Sequence, residues 1–104
     1  MDKKAVIELK KFKKKVEKKI PLQALIFFGS RVRKKYHKDS DIDLIVVSEK
    51  FRGLNFFKRV ARMYDFWDLN YPVDFLCYTP EEFNKLKKEV SIVSEALKEG
   101  IEIE

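Results

Sequence analysis

The sequence has few of the residues that cross-link small domains or bind soft metals. Among 104 residues there is one cysteine, Cys77, and one histidine, His37. A single cysteine excludes an internal disulfide framework and a cysteine-based zinc site. Cys77 stands in an apolar strand-like segment and is expected in the core, whereas His37 stands in a lysine-rich segment typical of a solvated loop. Candidate chemistry is therefore sought among carboxylates, hydroxyls and basic side chains.

Long apolar runs are absent as well. No stretch of about 18 apolar residues occurs, so no transmembrane helix is predicted. The opening segment MDKKAVIELKKFKKK contains no uninterrupted apolar core, so no secretory signal is predicted either. We expect a cytoplasmic protein, and a chain of this length is expected to form one domain, residues 1–104.

Positive charge is abundant and unevenly placed. The net charge is +6, and residues 1–20 alone hold nine lysines against three acidic residues. A basic face of this kind can meet nucleic acid, nucleotide phosphates or an acidic partner. A lysine-coated helix in solvent is the simpler interpretation.

The apolar pattern predicts alternating helices and strands. A helix is predicted over 3–19, because apolar residues recur there every three or four positions. Short apolar runs predict strands at 24–28, 41–47 and 73–78, and the closing IEIE predicts an edge strand. Further helices are predicted at SRVRKKY with Ser30 as N-cap, from Phe56 onward, after Thr79, and before Gly100. The fold class is therefore α/β (α+β), a small mixed sheet of three to four strands with helices packed on it.

Two carboxylates in the second predicted strand need an explanation. Alternation places Asp41 and Asp43 on one face, while Ile42 points into the core. Close carboxylates repel each other unless a cation lies between them, and Mg²⁺ prefers such oxygen ligands. Asp74, second in the third strand, could complete a site for one or two metal ions.

The segment before these acids predicts a phosphate site. Gly29 follows a buried strand and lets a phosphate approach the backbone closely. Ser30 offers a hydroxyl and a helix start that can bind phosphate oxygens. Arg31 and Arg33 follow in the first turn, where at least one could reach a triphosphate or its leaving group.

Together these motifs resemble a known family. Gly29–Ser30, Asp41–Ile42–Asp43 and Asp74 resemble the signature of the DNA polymerase β-type nucleotidyltransferases, and GSRVRKKYHKDSDIDLIVV resembles the minimal nucleotidyltransferases (MNT proteins). The resemblance implies a nucleotidyltransferase-like fold, with phosphate contacts at Gly29 and Ser30 and Mg²⁺ ligands at Asp41, Asp43 and Asp74. It also implies ATP as substrate, AMP transfer to a hydroxyl of a protein, and a HEPN-domain toxin as partner of this antitoxin.

Other interpretations stay open at this point. The chain could be a non-catalytic antitoxin or nucleotide-binding module that acts by covering its partner. Nucleic-acid binding through the basic first helix depends only on charge and is the weakest hypothesis. The aromatic residues of 51–71 are expected mostly in the core, and part of them could meet a partner protein or a second copy of the chain.

Overall fold

The computed structural model describes residues 1–34 and 36–104. In chain order, the regular elements are α1 (Lys3–Glu17), β1 (Ala24–Phe28), a 3₁₀ turn (Ser30–Val32), β2 (Ile42–Val47), a second 3₁₀ turn (Glu49–Phe51), α2 (Phe56–Tyr64), β3 (Val73–Tyr78), α3 (Pro80–Leu86), α4 (Ile92–Glu99) and β4 (Ile101–Glu102). The predicted order is confirmed except for the helix expected between β1 and β2, and α1 is shorter and β2 starts one residue later than predicted.

The four strands form one mixed sheet in the order β3-β2-β1-β4. Strand β1 pairs antiparallel with both β2 and β4, whereas β2 and β3 run parallel and are joined by the crossover that contains α2. Parallel neighbours need such a crossover, since a tight hairpin can only reverse the chain. The predicted fold class is confirmed, and the closing segment does form an edge strand.

Helices cover both faces of the sheet. Alternate strand residues such as Leu44 and Phe75 pack with α1 and α2, and the intervening residues such as Ile45 pack with α3 and α4. Most of α1's buried stripe, including Leu9 and Phe12, is at most 2% exposed. Burial of this apolar surface is the main stabilising contribution, at about 25 cal/mol per Å².

Local signals set several helix ends. Asp2 caps α1 by accepting the Ala5 amide, and Thr79 and Glu82 form the predicted reciprocal capping box at α3. The prediction that Ser30 caps a longer helix was wrong. Gly29 holds the N-cap position, and only a three-residue 3₁₀ turn follows, because Arg33 already has extended backbone. The part of that predicted helix at Lys35 lies outside the described residues.

The aromatic residues divide between the core and the surface. Phe12, Trp67 and Phe75 pack together on the α1 side of the sheet. The expectation that the aromatic residues lie mostly in the core fails for α2, because Phe57 is 81% exposed and the apolar residue that this helix fully buries is Met63. Two apolar stripes compete on this short helix, and packing selects the one that contains Met63.

Across residues 1–34 and 36–104, no helix combines the length and the apolar character that crossing a membrane requires.

Candidate active site

The parallel register of β2 and β3 brings two of the predicted acids side by side. Asp43 is paired directly with Asp74, so both side chains leave the same face of the sheet about 5 Å apart. Their apolar neighbours Ile45 and Leu76 pack with α3 and α4, which identifies that face. Both residues stand at the beginning of their strands, where the face is less covered. Asp43 is half-buried and Asp74 is exposed.

The third predicted acid stands just ahead of β2. Asp41 is exposed, while Ile42 is fully buried, so the predicted alternation of this segment is confirmed. Within the described part of the chain, no three acidic, histidine or cysteine side chains already surround a common metal position. The three carboxylates are therefore neighbours along two strands and not a closed cage.

The turn at Gly29 packs directly against the side chain of Asp43. It follows β1, whose last residue, Phe28, pairs with Asp43, and its φ of +87° lies in a region that favours glycine. A Cβ on Gly29 would overlap Oδ2 of Asp43 and lie 2.9 Å from its Cγ. Only glycine fits between the turn and the carboxylate, so the glycine–serine pair and the aspartate pair form one structural unit.

Crowding and burial change the protonation of the central acid. Partial burial raises the pKa of Asp43 to about 6, and the negative charges of Asp74 and Asp41 add to the rise. All three causes disfavour the carboxylate. A bound cation would remove this cost, and the donor set of carboxylate oxygens fits a hard ion such as Mg²⁺ that also accepts phosphate and water oxygens.

Arg31 is buried behind the acids. It is 2% exposed, and its guanidinium donates to the Asp2 carboxylate and to the backbone oxygens of Lys38 and Ser40. This arrangement does not support the prediction that Arg31 contacts the nucleotide phosphates, because all three nitrogens already have protein acceptors.

Arg33 is the more accessible of the two arginines. Its side chain is 62% exposed, and its Nε lies 2.8 Å from Oε2 of the exposed Glu99. Arg33 lines a cleft of about 280 Å³ with Phe28, Gly29 and residues of α4, among them Ala96. The cleft therefore joins the glycine turn to a basic side chain on the face that carries the acids.

A larger cavity lies at the other end of β3. It measures about 510 Å³ and lies between α2 and α3, next to Cys77 and Tyr78. Those residues come at the carboxyl end of β3, three or more positions beyond Asp74. Volume alone therefore does not locate the chemistry, and the smaller cleft is the one that contains Gly29, which packs against Asp43.

The model of the nucleotidyltransferase domain family matches residues 9–103 of the sequence. The chain belongs to this family. The match spans the glycine turn and all three acids. Nucleotidyl transfer is accordingly the general activity that the family assignment supports.

Solved structures agree with the nucleotidyltransferase architecture. A candidate nucleotidyltransferase from Sulfolobus solfataricus superposes with a TM-score of 0.66 at 24% identity, covering 93% of this chain and 77% of its own. Two Arabidopsis thaliana structures, BolA1 and the BolA domain of SufE1, reach TM-scores of 0.55 and 0.52 at 19% and 22% identity. Each covers 69% of this chain, which equals 90% and 91% of the BolA structures. At these identities the likeness concerns the fold alone. No curated protein matches the sequence.

Sequence reasoning missed one residue of this nucleotidyltransferase site. Asp2 caps α1 and also accepts a 2.6 Å hydrogen bond from Arg31 Nη1, 29 positions later in the chain. An aspartate directly before a helix is a recognisable capping signal. The ion pair had no comparable signal, because it depends on how α1 packs against the turn.

The close approach at Gly29 predicts a position-specific cost of adding a methyl group. Gly29→Ala should destabilise the nucleotidyltransferase domain by about 1–3 kcal/mol more than Gly53→Ala. Gly53 is the matched control, since its φ is +75° and a Cβ there would meet nothing within 4 Å. Urea unfolding of the three proteins measures the difference. Equal losses of stability at both positions would contradict the prediction and would show that the Asp43 carboxylate moves aside without measurable cost.

The raised pKa of Asp43 predicts a pH-dependent stability difference. The folded protein binds this proton more tightly than the unfolded chain, so the stabilising contribution is complete below pH 3.8 and is lost as pH rises through about 6. Asp43→Asn should therefore stabilise the metal-free protein at about pH 8 by roughly 1 kcal/mol, a value reduced for partial solvent exposure. The gain should vanish at about pH 4.

Urea unfolding in EDTA across this pH range tests the Asp43 prediction. Asp65→Asn, at the exposed C-cap of α2, controls for the loss of one charge. A gain for Asp43→Asn that is the same at every pH would contradict the assigned cause.

Proposed function

We propose that the chain is a Mg²⁺-dependent nucleotidyltransferase that transfers AMP from ATP to a hydroxyl of a protein. The observation that carries the proposal is the pairing of Asp43 with Asp74 beside a glycine turn that fits against the Asp43 carboxylate. The protein acceptor in this proposal is a HEPN-domain toxin, which the chain would neutralise as its antitoxin. The resemblance of the sequence to the MNT proteins supports that partner.

The acids have a metal-holding role in this proposal. Asp41, Asp43 and Asp74 would hold one or two Mg²⁺ ions. When bound, such ions lower the pKa of an attacking hydroxyl and neutralise charge on a leaving phosphate. The raised pKa of Asp43 supports this role, because a group that resists ionisation without a cation gains most from one.

The glycine turn and Arg33 have the nucleotide-binding role. Gly29 and Ser30 would contact the β- and γ-phosphates through the backbone of the turn and the serine hydroxyl. Arg33 would exchange Glu99 for a phosphate oxygen. That exchange costs little, since both side chains of the ion pair are more than half exposed and such pairs contribute about 0–1 kcal/mol.

The proposed reaction transfers one adenylyl group by displacement at the α-phosphorus of ATP. The acceptor oxygen forms a bond to the α-phosphorus of ATP while the bond from that phosphorus to the bridging oxygen breaks. Pyrophosphate leaves with the electron pair, and the proton of the acceptor hydroxyl passes to Asp74. The exposure of Asp74 leaves it accessible to a hydroxyl presented by another protein.

Exposed aromatic side chains on α2 are consistent with another protein as the acceptor. Phe56 and Tyr64 on α2 are about half exposed and Phe57 is 81% exposed, and the Tyr64 hydroxyl donates to the backbone oxygen of Val73, directly before Asp74. Apolar surface of this kind is commoner at protein contacts than at sites for small polar molecules.

Transfer of label from ATP tests the proposal. The protein, Mg²⁺ and a candidate HEPN-domain partner are incubated with α-³²P-ATP or, in parallel, γ-³²P-ATP. Labelling of the partner by the α-phosphate alone is expected. Asp43→Asn should reduce it about 100-fold or more, because the variant loses a metal ligand, whereas Asp65→Asn should leave it unchanged.

The remaining outcomes are equally informative. Label from the γ-phosphate would indicate phosphoryl transfer and contradict the proposal. Neutralisation of the partner that survives in Asp43→Asn without any labelling would favour a non-catalytic antitoxin that acts by binding.

A further inference from the structure

The guanidinium of Arg31 contacts the chain segments that lead into the two strands with candidate acids, β2 and β3. Nε donates to the backbone oxygen of Ser40 at 2.7 Å, directly before Asp41. Nη2 donates to the backbone oxygen of Lys38 at 2.6 Å, in the same segment. Arg31 itself follows Gly29–Ser30 in the turn. One buried side chain therefore ties the glycine turn to the segment that leads into β2.

A second set of contacts connects Arg31 to the segment that leads into β3. The guanidinium carbon lies 4.9 Å from the ring centre of Tyr71 and 5.2 Å from that of Tyr36, distances at which a cation is attracted to the ring face. Tyr71 precedes Asp74 by three positions. The guanidinium therefore contacts the segment that leads into β2 through Tyr36 and the segment that leads into β3 through Tyr71.

The cation is held in place from α1. Asp2 accepts from Nη1 at 2.6 Å, and its own amide donates to the backbone oxygen of Arg31 at 2.9 Å. The paired side chains are 3% and 8% exposed. A buried pair of this kind is costly to desolvate and is weak support for stability on its own, so its value must be sought in the geometry that it imposes.

We propose that Arg31 is a positioning residue, which sets the spacing of Asp41 and Asp74 around Asp43 through its contacts with Ser40, Lys38 and Tyr71, and that Asp2 fixes its orientation. Arg31 lies behind the acids, because Tyr71 packs with the α1-side core while Asp43 and Asp74 face α3 and α4. It therefore acts through the acids and does not contact the nucleotide.

Lysine is the informative substitution because it keeps the charge and loses the planar, multiply donating head group. In Arg31→Lys the affinity for Mn²⁺, measured by electron paramagnetic resonance without nucleotide, should fall about tenfold, as expected when a group that supports metal ligands is altered. Hydrogen exchange should quicken in peptides covering 36–42 and 69–74 and stay unchanged in α3 and α4. Asp2→Asn should act in the same direction by about threefold, since asparagine still caps a helix.

The control is Arg52→Lys. Arg52 is exposed, bonds Glu49 and Glu81 beyond the other end of β2, and should leave Mn²⁺ affinity and exchange at the acids unchanged. A purely stabilising role for Arg31 would lower the unfolding midpoint of Arg31→Lys and leave the Mn²⁺ affinity of the folded protein intact. That result would overturn the inference.

The relevance of this positioning to catalysis depends on the proposed function, and the two can fail separately. If the wild-type protein binds no Mn²⁺ and transfers no label, the proposed function falls, and local hydrogen exchange alone decides the role of Arg31. If the wild-type protein is active, the kcat of Arg31→Lys should fall more than its KM changes. Unchanged exchange in 36–42 and 69–74 would refute the positioning role in either case.

Discussion

The crowding of Asp43, caused first by burial and then by the charges of Asp74 and Asp41, is the constraint around which the candidate site is arranged. The parallel pairing of β2 and β3 places Asp43 opposite Asp74, at a separation where the charge of Asp74 disfavours the ionisation of Asp43. An apolar pair would remove the cost and leave the sheet otherwise unchanged. Two surrounding features accompany the crowded carboxylates: the glycine turn that makes room for Asp43, and the buried arginine behind the strands.

The topology explains how so short a chain brings these groups together. Asp43 lies in β2 and Asp41 directly precedes it, the glycine turn follows the antiparallel neighbour β1, and Asp74 lies in the parallel neighbour β3. Strand β2 lies between the other two, so the site needs only three adjacent strands and the crossover through α2. The opposite ends of the same strands carry the larger cavity beside Tyr78, where no acids are paired across the sheet in the described registers.

Much of the fold could be predicted from the sequence because its elements are short and strongly patterned. The strands, the capping box at Thr79 and the inward direction of Ile42 follow from local rules, which act within a few residues. The buried face of α2 could not be chosen, because two apolar stripes satisfy the same helical period and only packing against β3 distinguishes Met63 from Phe57. The contacts of Arg31 could not be predicted for a related reason. Its acceptors Asp2 and Ser40 are selected by tertiary structure, so the local sequence favours a phosphate contact instead.

The two arginines of the motif show how position within a turn separates two roles for the same residue type. Arg31 points toward α1, where burial and three protein acceptors occupy it. Arg33 begins the extended segment after the 3₁₀ turn and lines the cleft, where it pairs with the solvent-exposed Glu99 in an ion pair that solvent screening weakens. A cation that is already fully bonded can hold geometry, and a cation with an exchangeable partner can bind an incoming phosphate. Under the proposed function, the alternation of Arg31 and Arg33 would provide both roles within three residues of chain.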